Sequence, residues 1–491
     1  MYRAGAQPPW RTTAVRRRAT IQFALLLCAI TVRTASPANC PSMPPPKCLA
    51  DCTKTLEHLK GAARGHCLAT KTYTTSARIP YNLDILECDP AKAPASTPLL
   101  TSVPTGLLPE NHCMPSGVQN MTQIYIDSNA ITAIGDDGFY GLLTLLTLSL
   151  RKNGIASISA HAFRGLPKLQ VLNLRGNNLN AVPPAAFAGL GTLQQLDLSE
   201  NPLAGLVPNQ FVGLGDLRRL AIQSSPLASL PAGIFAGLGN LTALELDNSM
   251  LATVPAAVFA PLARLETLYM HGNRLRALPD DAFAGLASLQ RLFLNENMLA
   301  SLPAKLFEPL VELRRVNVEA NVLATLGGAQ FRTNTKLEIM ELGRNPAMRS
   351  IGFGSFNGLR NVRHVRLHST GLDALPPRLF RDLGVCQTIM LHNNSRLGTV
   401  GMPLGVFDGL GSLRELRLDT NPSWEFFCPL PNKCAIVING TLATAHFDRP
   451  CICEMRMCTA CAIARPTWAL TVATIVALTA SLSSSLSSTS A

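Results

Sequence analysis

The sequence predicts an α/β-type solenoid: a curved coil of short units, with a parallel β-sheet on its concave side, a mostly irregular or short-helical convex side, and a disulfide-stapled cap at each end. Three observations predict it. The middle of the 491-residue chain repeats every 24 residues, so that 169–192 reads LQVLNLRGNNLNAVPPAAFAGLGT and 193–216 reads LQQLDLSENPLAGLVPNQFVGLGD. Phenylalanine marks the period at Phe139, Phe163, Phe187, Phe211, Phe235, Phe259, Phe283, Phe307 and Phe331, then continues at Phe356, Phe380 and Phe407. A ladder of short polar residues keeps step through thirteen units: Asn129, Asn153, Asn177, Asn201, Ser225, Ser249, Asn273, Asn297, Asn321, Asn345, Thr370, Asn394 and Asn421.

Each part of the unit has a physical reason. In L-x-L the apolar period is two, so every unit opens as a short strand whose leucines point inward. The ladder residue stands where the chain turns out of that strand, and an asparagine amide there satisfies backbone groups that would otherwise be buried and unpaired. Ser225, Ser249 and Thr370 are shorter and are expected to make weaker versions of the contact. In seven units a Val-Pro or Leu-Pro pair, such as Val182-Pro183 and Leu278-Pro279, resists helix or sheet and sends the chain to the far side. The phenylalanines should stack there as a spine. No unit buries its core alone, so neighbours supply the stability and both ends need caps. The pattern L-x-x-L-x-L-x-x-N-x-L is that of a leucine-rich repeat, and it implies a leucine-rich repeat horseshoe of about 13 repeats over 121–421.

The ends read as processing signals. Residues 16–38, RRRATIQFALLLCAITVRTASPA, run from a basic cluster through an apolar stretch to small residues, the order of a secretory signal peptide (1–38) cleaved before Asn39. Four N-x-S/T sequons, at Asn120, Asn240, Asn393 and Asn439, are candidate glycosylation sites consistent with that route. At the other end, 13 uncharged residues from Trp468 to Ala480 precede a Ser-rich terminus. No basic residue follows them, which fits a glycolipid-anchor signal within 462–491 better than a stop-transfer helix; a single span or no anchor are the alternatives. The net charge of +12 includes six arginines of the signal segment. Without them 37 basic residues stand against 31 acidic ones, a balance too mild to argue for nucleic acid.

Cysteine usage agrees with secretion. Cys28 falls in the signal segment. Cys40, Cys48, Cys52, Cys67, Cys88 and Cys113 precede the repeats, and Cys428, Cys434, Cys451, Cys453, Cys458 and Cys461 follow them. Six on each side of a nearly cysteine-free solenoid read as disulfide-stapled caps over 39–120 and 422–461, a zinc site in the second group being the rival reading. Cys386 occupies a leucine position and is expected as a buried core thiol.

Residues 84–421 resemble an extracellular leucine-rich repeat protein of the 24-residue typical subclass, which includes the Toll-like receptor ectodomains, the Nogo receptor, Slit and the lamprey variable lymphocyte receptors. ILECD (85–89), LLTSVPTGL (99–107) and IYIDSN (124–129) are similar to the later half of the family's N-terminal cap, and NPSWEFFC (421–428) to the start of its C-terminal cap. The compact C-P-x-x-C-x-C opening and the closely spaced cysteine pair of the second cap are absent, so the resemblance supplies no disulfide connectivity. The order of signal, cap, repeats, cap and glycolipid tail is similar to that of the Nogo receptor. Fold analogy alone names no ligand.

The strands should present three outward residues each, six, four and two positions before the ladder residue, on thirteen strands ~4.8 Å apart that form an arc of roughly 60 Å. Seven arginines and eight acids occupy these positions, a mixture that favours a protein partner over a polyanion. Glu245, Asp247, Tyr269, His271, Arg291, Phe293 and Arg315 fall on consecutive strands, and aromatics beside arginine have the composition of an interface hot spot. The alternative is a solvated sheet face. His364, His368 and His392 cluster with Arg366, and imidazoles crowded by a guanidinium should resist protonation, which makes binding there a candidate for pH dependence between about 5 and 7; ordinary solvated histidines are the alternative.

The chain lacks G-K-S/T, H-E-x-x-H and G-x-S-x-G motifs, and its concave acids and histidines are exposed rather than desolvated, so no enzyme, cofactor or metal is expected. The expected function is a recognition or adhesion ectodomain that binds an extracellular or cell-surface protein. A secreted matrix protein or a soluble binding inhibitor is the alternative.

Overall fold

The computed structural model describes residues 68–70, 85–87, 121–397, 406–421, 433–438 and 441–446, the first two and last two segments as backbone only. The signal segment, the tail, the sequons at Asn120 and Asn439 and the cap cysteines lie outside this set, except that Cys434 falls in a strand described by its backbone. The described chain divides into two compact units, 1–275 with 282–289 and 276–281 with 290–491. Each is a parallel-sheet solenoid of leucine-rich repeats, about 12 turns in all with almost no helix, as the period predicts.

In the first unit one three-residue strand is laid down per repeat: Gln123–Tyr125, Thr147–Ser149, Val171–Asn173, Gln195–Asp197, Arg219–Ala221, Ala243–Glu245 and Thr267–Tyr269. Their register is the repeat itself, with Leu172 opposite Leu196 and Leu244 opposite Leu268. The second unit continues with Arg291–Phe293, Arg315–Asn317, Ile339–Glu341, His364–Arg366, Thr388–Met390 and Glu415–Arg417. Each sheet has an antiparallel strand toward its chain terminus. Leu68–Thr70 runs against Ile85–Glu87, which pairs in parallel with Gln123–Tyr125; Lys433–Ile438 runs against Thr441–His446, which pairs in parallel with Glu415–Arg417. Reversed strands of this kind cover edges that would otherwise invite pairing.

The apolar side chains form one layered core per unit. The central leucine, valine, isoleucine or methionine of each of the thirteen repeat strands, from Ile124 to Leu416, is 0–1 % exposed. On the far side the phenylalanines stack coil on coil, with Phe163–Phe187 centroids 6.3 Å apart in the first unit and Phe307–Phe331 5.1 Å apart in the second. Among the described residues that side is mostly turn, with a short 3-10 helix at Pro184–Phe187 that follows Pro183. Cys386 is a buried core residue, as expected, and burial pushes its thiol up to about 12.

The asparagine ladder works across coils. Asn321 Nδ2 donates to Leu294 O of the preceding coil (3.0 Å) and to Val318 O of its own (3.1 Å), while its Oδ1 accepts from Leu299 N (3.0 Å). Asn177, Asn201, Asn273, Asn345 and Asn394 repeat the two donations. Ser249 manages only 3.4 Å to Ile222 O and 3.3 Å to Asp247 O, the weaker contacts expected of a shorter side chain, whereas Thr370, 3.4 Å from Leu367 O, instead donates to Asn394 Oδ1 of the next coil at 2.6 Å.

One feature of the turn is absent from the sequence pattern. The residue before each ladder position has positive φ in all thirteen repeats, from Ser128 (58°) through Ala320 (52°) and Arg344 (53°) to Thr420 (60°), and only Gly176 and Gly272 are glycines. The left-handed turn lets that residue's N–H reach the next coil, as in Arg344 N to His368 O at 2.8 Å. It costs a non-glycine residue roughly 1–2 kcal/mol.

Candidate functional site

The seven residues read as a contact patch divide between the units, four in the first and three in the second. In the first, Glu245 and Asp247 are largely covered, 9 % and 6 % exposed. Arg219 grips the Glu245 carboxylate with two bonds of 2.7 Å, and the Gln223 amide donates to the same group. Asp247 accepts from Asn248 Nδ2 (2.8 Å) and lies 3.6 Å from His271 Nε2. The acids are therefore engaged within the sheet, and Tyr269 and His271 stand half-exposed, edge to face with centroids 6.2 Å apart.

In the second unit Arg291 is exposed and Phe293 half-exposed. The Arg315 guanidinium lies 5.1 Å from the Phe293 ring centroid and also donates twice to Glu341, at 3.0 Å each. Glu341 receives a further bond from Arg366 Nη1 (2.6 Å) and is 1 % exposed. One buried carboxylate is thus shared by arginines from the strands on either side of it. Counting charges by row could not show this, because the count does not say which of them neutralise one another.

The histidine cluster centres on a stacked pair. His368 and His392, on neighbouring strands, stack with centroids 4.8 Å apart and planes 12° apart. Burial first, then His392, then Arg366, Arg344 and Arg417 push His368 down to about 4, below the window of 5 to 7 that the sequence suggested. The cause is that the ring is largely covered, its side chain 18 % exposed. His364 is half-exposed at the opposite edge of the same strand.

Glu319 was not read as part of this cluster, and the structure adds it. Its Oε1 lies 3.8 Å from His368 Nδ1 although the two residues are two strands apart. The gap between them is Gly343, the one glycine among the concave positions; a Cβ there would sit 2.7 Å from His368 Nδ1. Burial, then the neighbouring Glu341, raises the Glu319 carboxyl above its ordinary range. The glycine in the outward row was the available signal.

Of the two described sequons, Asn393 is exposed and donates to Ser369 Oγ (3.0 Å), whereas Asn240 is half-buried between Gly215 O (2.9 Å) and Arg264 Nη1 (2.7 Å). Among the described residues no group of three or more His, Cys, Asp or Glu could hold a metal ion, and no helix is long and apolar enough to cross a membrane.

Comparison with known proteins agrees with this geometry. The leucine rich repeat family model matches residues 119–179, 167–227, 216–275 and 271–323. Over 96 residues the chain is 38% identical to Tsukushi of Rattus norvegicus, a match that spans 19% of this chain and 25% of that relative's length. Among solved structures it is similar in fold to TLR13, solved in complex with ssRNA13 (24% identity, TM-score 0.56, 63% of this chain and 45% of that one). It is similar also to Toll, solved in complex with Spatzle in a study of Drosophila (23% identity, TM-score 0.56, 63% and 42%). Residues 119–323 thus match the leucine rich repeat family, and the same strand, ladder and spine geometry continues beyond them in the second unit.

Proposed function

We propose that the protein is a non-enzymatic extracellular ectodomain that binds a protein partner, for recognition or adhesion at the cell surface. The observation that carries this reading is the state of the strand faces. Their acids are mostly tied to arginines within the sheet, while half-exposed rings stay at the surface of each unit, Tyr269 beside His271 in the first and Phe293 beside Arg315 in the second. Aromatic and arginine anchors amid neutralised charge suit a protein surface. Toll, similar in fold, is solved with Spatzle.

The test is a binding screen of the full chain, produced in a secretory host, against an extracellular protein library, with Tyr269→Ala, Arg291→Ala and Phe293→Ala in parallel. A saturable partner lost in the triple variant supports both the reading and the patch. A partner retained by the variant moves the site, and retention in matrix without a partner favours a structural protein. Sequencing the mature N-terminus tests cleavage before Asn39, and release from cells by a glycolipid-specific phospholipase tests the anchor.

A further inference from the structure

The flank of the second unit just before its strands changes character along the chain. In its earlier coils, charges pair from coil to coil: Arg332 with Glu308 (3.4 Å), Lys336 with Glu312, and Arg314 with Glu338 (2.7 Å). The next three coils break the rule. Arg360, Arg363, Arg381 and Arg414 are all exposed, and none has an ion pair or side-chain hydrogen bond among the described residues. The acids nearby are Glu338, already held by Arg314 and with its backbone oxygen accepting from Arg363 N (2.8 Å), the half-exposed Glu415, Asp382, whose carboxylate accepts from Gly358 N (2.8 Å), and the exposed Asp408.

The backbone places these arginines on one flank. Gln387 N donates to Arg363 O and Arg414 N to Gln387 O, so Arg363 and Arg414 stand one coil either side of Gln387. At ~4.8 Å per strand their Cα atoms are roughly 10 Å apart. Gly409 packs against the Arg381 carbonyl and Gly411 lies beside Gly384 O, which keeps the ground between the arginines low. Asn361, Gln387 and Ser412 supply neutral hydrogen-bonding groups there, and Val385 is the one exposed large apolar residue in 357–363, 381–387 or 408–414.

We propose that this flank binds a sulfated polysaccharide chain. Unpaired guanidiniums on stacked coils repel one another, and a polyanion laid across the coils relieves that repulsion while releasing counterions. Arginine forks suit sulfate as they suit phosphate, with the neutral side chains left for sugar hydroxyls. No aromatic lies among these segments, which argues against a single-stranded nucleic acid that would need stacking platforms, and the lone valine argues against insertion into a lipid surface. The choice of polysaccharide rests on the extracellular reading above; the electrostatic site does not.

The test uses the purified full chain on immobilised heparin at several salt concentrations, beside an RNA oligonucleotide and anionic vesicles. One variant carries Arg360→Ser, Arg363→Ser, Arg381→Ser and Arg414→Ser. A control of equal charge loss carries Lys305→Ser, Arg314→Ser, Arg332→Ser and Lys336→Ser. The expected result is heparin binding that weakens at least about tenfold, with a shallower salt dependence, in the first variant and much less in the control. No heparin binding by the parent chain, or equal loss in both variants, overturns the site. Tighter binding to the RNA or the vesicles than to heparin overturns the polysaccharide. A glycosidase-sensitive mass shift reduced by Asn393→Gln reports passage through the secretory route separately, so that failure of the extracellular reading is told apart from failure of the site.

Discussion

Glu319 and His368 belong to strands two apart in the sheet, yet Oε1 and Nδ1 come within 3.8 Å because Gly343, on the strand between, has no side chain to separate them. The glycine there serves side-chain packing rather than backbone conformation. Gly343→Ala should push the His368 ring away and disturb its stack on His392, since the new Cβ would lie 2.7 Å from Nδ1 and 2.9 Å from the His368 carbonyl oxygen. The expected cost is about 1–3 kcal/mol, as for other small-to-large changes in a packed site, read from a denaturant midpoint. An unchanged midpoint together with an unchanged His368 titration would show that the notch is not packed as described.

The same pair predicts an acid response with opposing parts. His368 falls from an ordinary 6.5 to about 4 on folding. The unfolded chain therefore binds its proton first, and stability falls as pH drops from 6.5 toward 4. The slope should be less than about 1.4 kcal/mol per pH unit because the ring is partly solvated. Glu319, raised on folding, works the other way, since its neutral form is favoured in the fold and stability rises as pH drops through its raised folded value toward the ordinary carboxylate range. His368→Gln should flatten the loss on acidification and Glu319→Gln should steepen it. Urea titrations at a series of pH values measure both slopes, and a Glu319→Gln profile parallel to the parent would remove the carboxylate from this account.

The ladder makes a separate prediction. Asn321→Ala leaves Leu294 O, Val318 O and Leu299 N without their side-chain partner, and each buried group so orphaned costs about 1–3 kcal/mol, so the variant should lose several kcal/mol and shift its thermal midpoint sharply. Ser249→Asn, at a position where only long contacts to Ile222 O and Asp247 O exist, should gain about 1 kcal/mol. A neutral Asn321→Ala would contradict the role given to the ladder.

What the sequence made legible was whatever each coil repeats. The L-x-L strand, the ladder asparagine and the phenylalanine keep their residue types from unit to unit because the same buried surroundings recur, and Phe163 on Phe187 or Asn201 across to Leu174 O follows from the period. The left-handed turn was not legible. Serine, lysine, glutamate, alanine, arginine and threonine all occupy it, since only the backbone is constrained there and the side chain faces solvent. Nor was the burial of Glu341, which depends on the reach of Arg315 and Arg366 from the two neighbouring strands. Outward positions differ from coil to coil, so no repetition reveals their partners.

Ala320 tests the turn. It holds φ at 52° with no side-chain partner to offset the strain, and its N–H reaches Gly343 O at 3.2 Å. Ala320→Gly should stabilise by up to about 1 kcal/mol, the relief of left-handed strain being partly offset by the greater freedom of glycine in the unfolded chain. Ala320→Val should destabilise by more than that, because a branched side chain is worse at positive φ.

Glu341 gives the sharpest test of the strand face. Its carboxylate is 1 % exposed and takes bonds from both Arg315 and Arg366, so either arginine can partly compensate the charge when the other is removed. Arg315→Ala and Arg366→Ala should each cost about 1–2 kcal/mol, as loss of hydrogen bonds to a charged group does. Removing both strands a buried carboxylate, for which a loss of about 3–5 kcal/mol is typical, so the double variant should exceed the sum of the singles. Adding Glu341→Gln to the double variant should recover part of the loss, because the amide has no charge left to bury. If the two arginines prove additive in a double-mutant cycle, and Glu341→Gln rescues nothing, then solvent rather than the flanking guanidiniums is what holds that carboxylate.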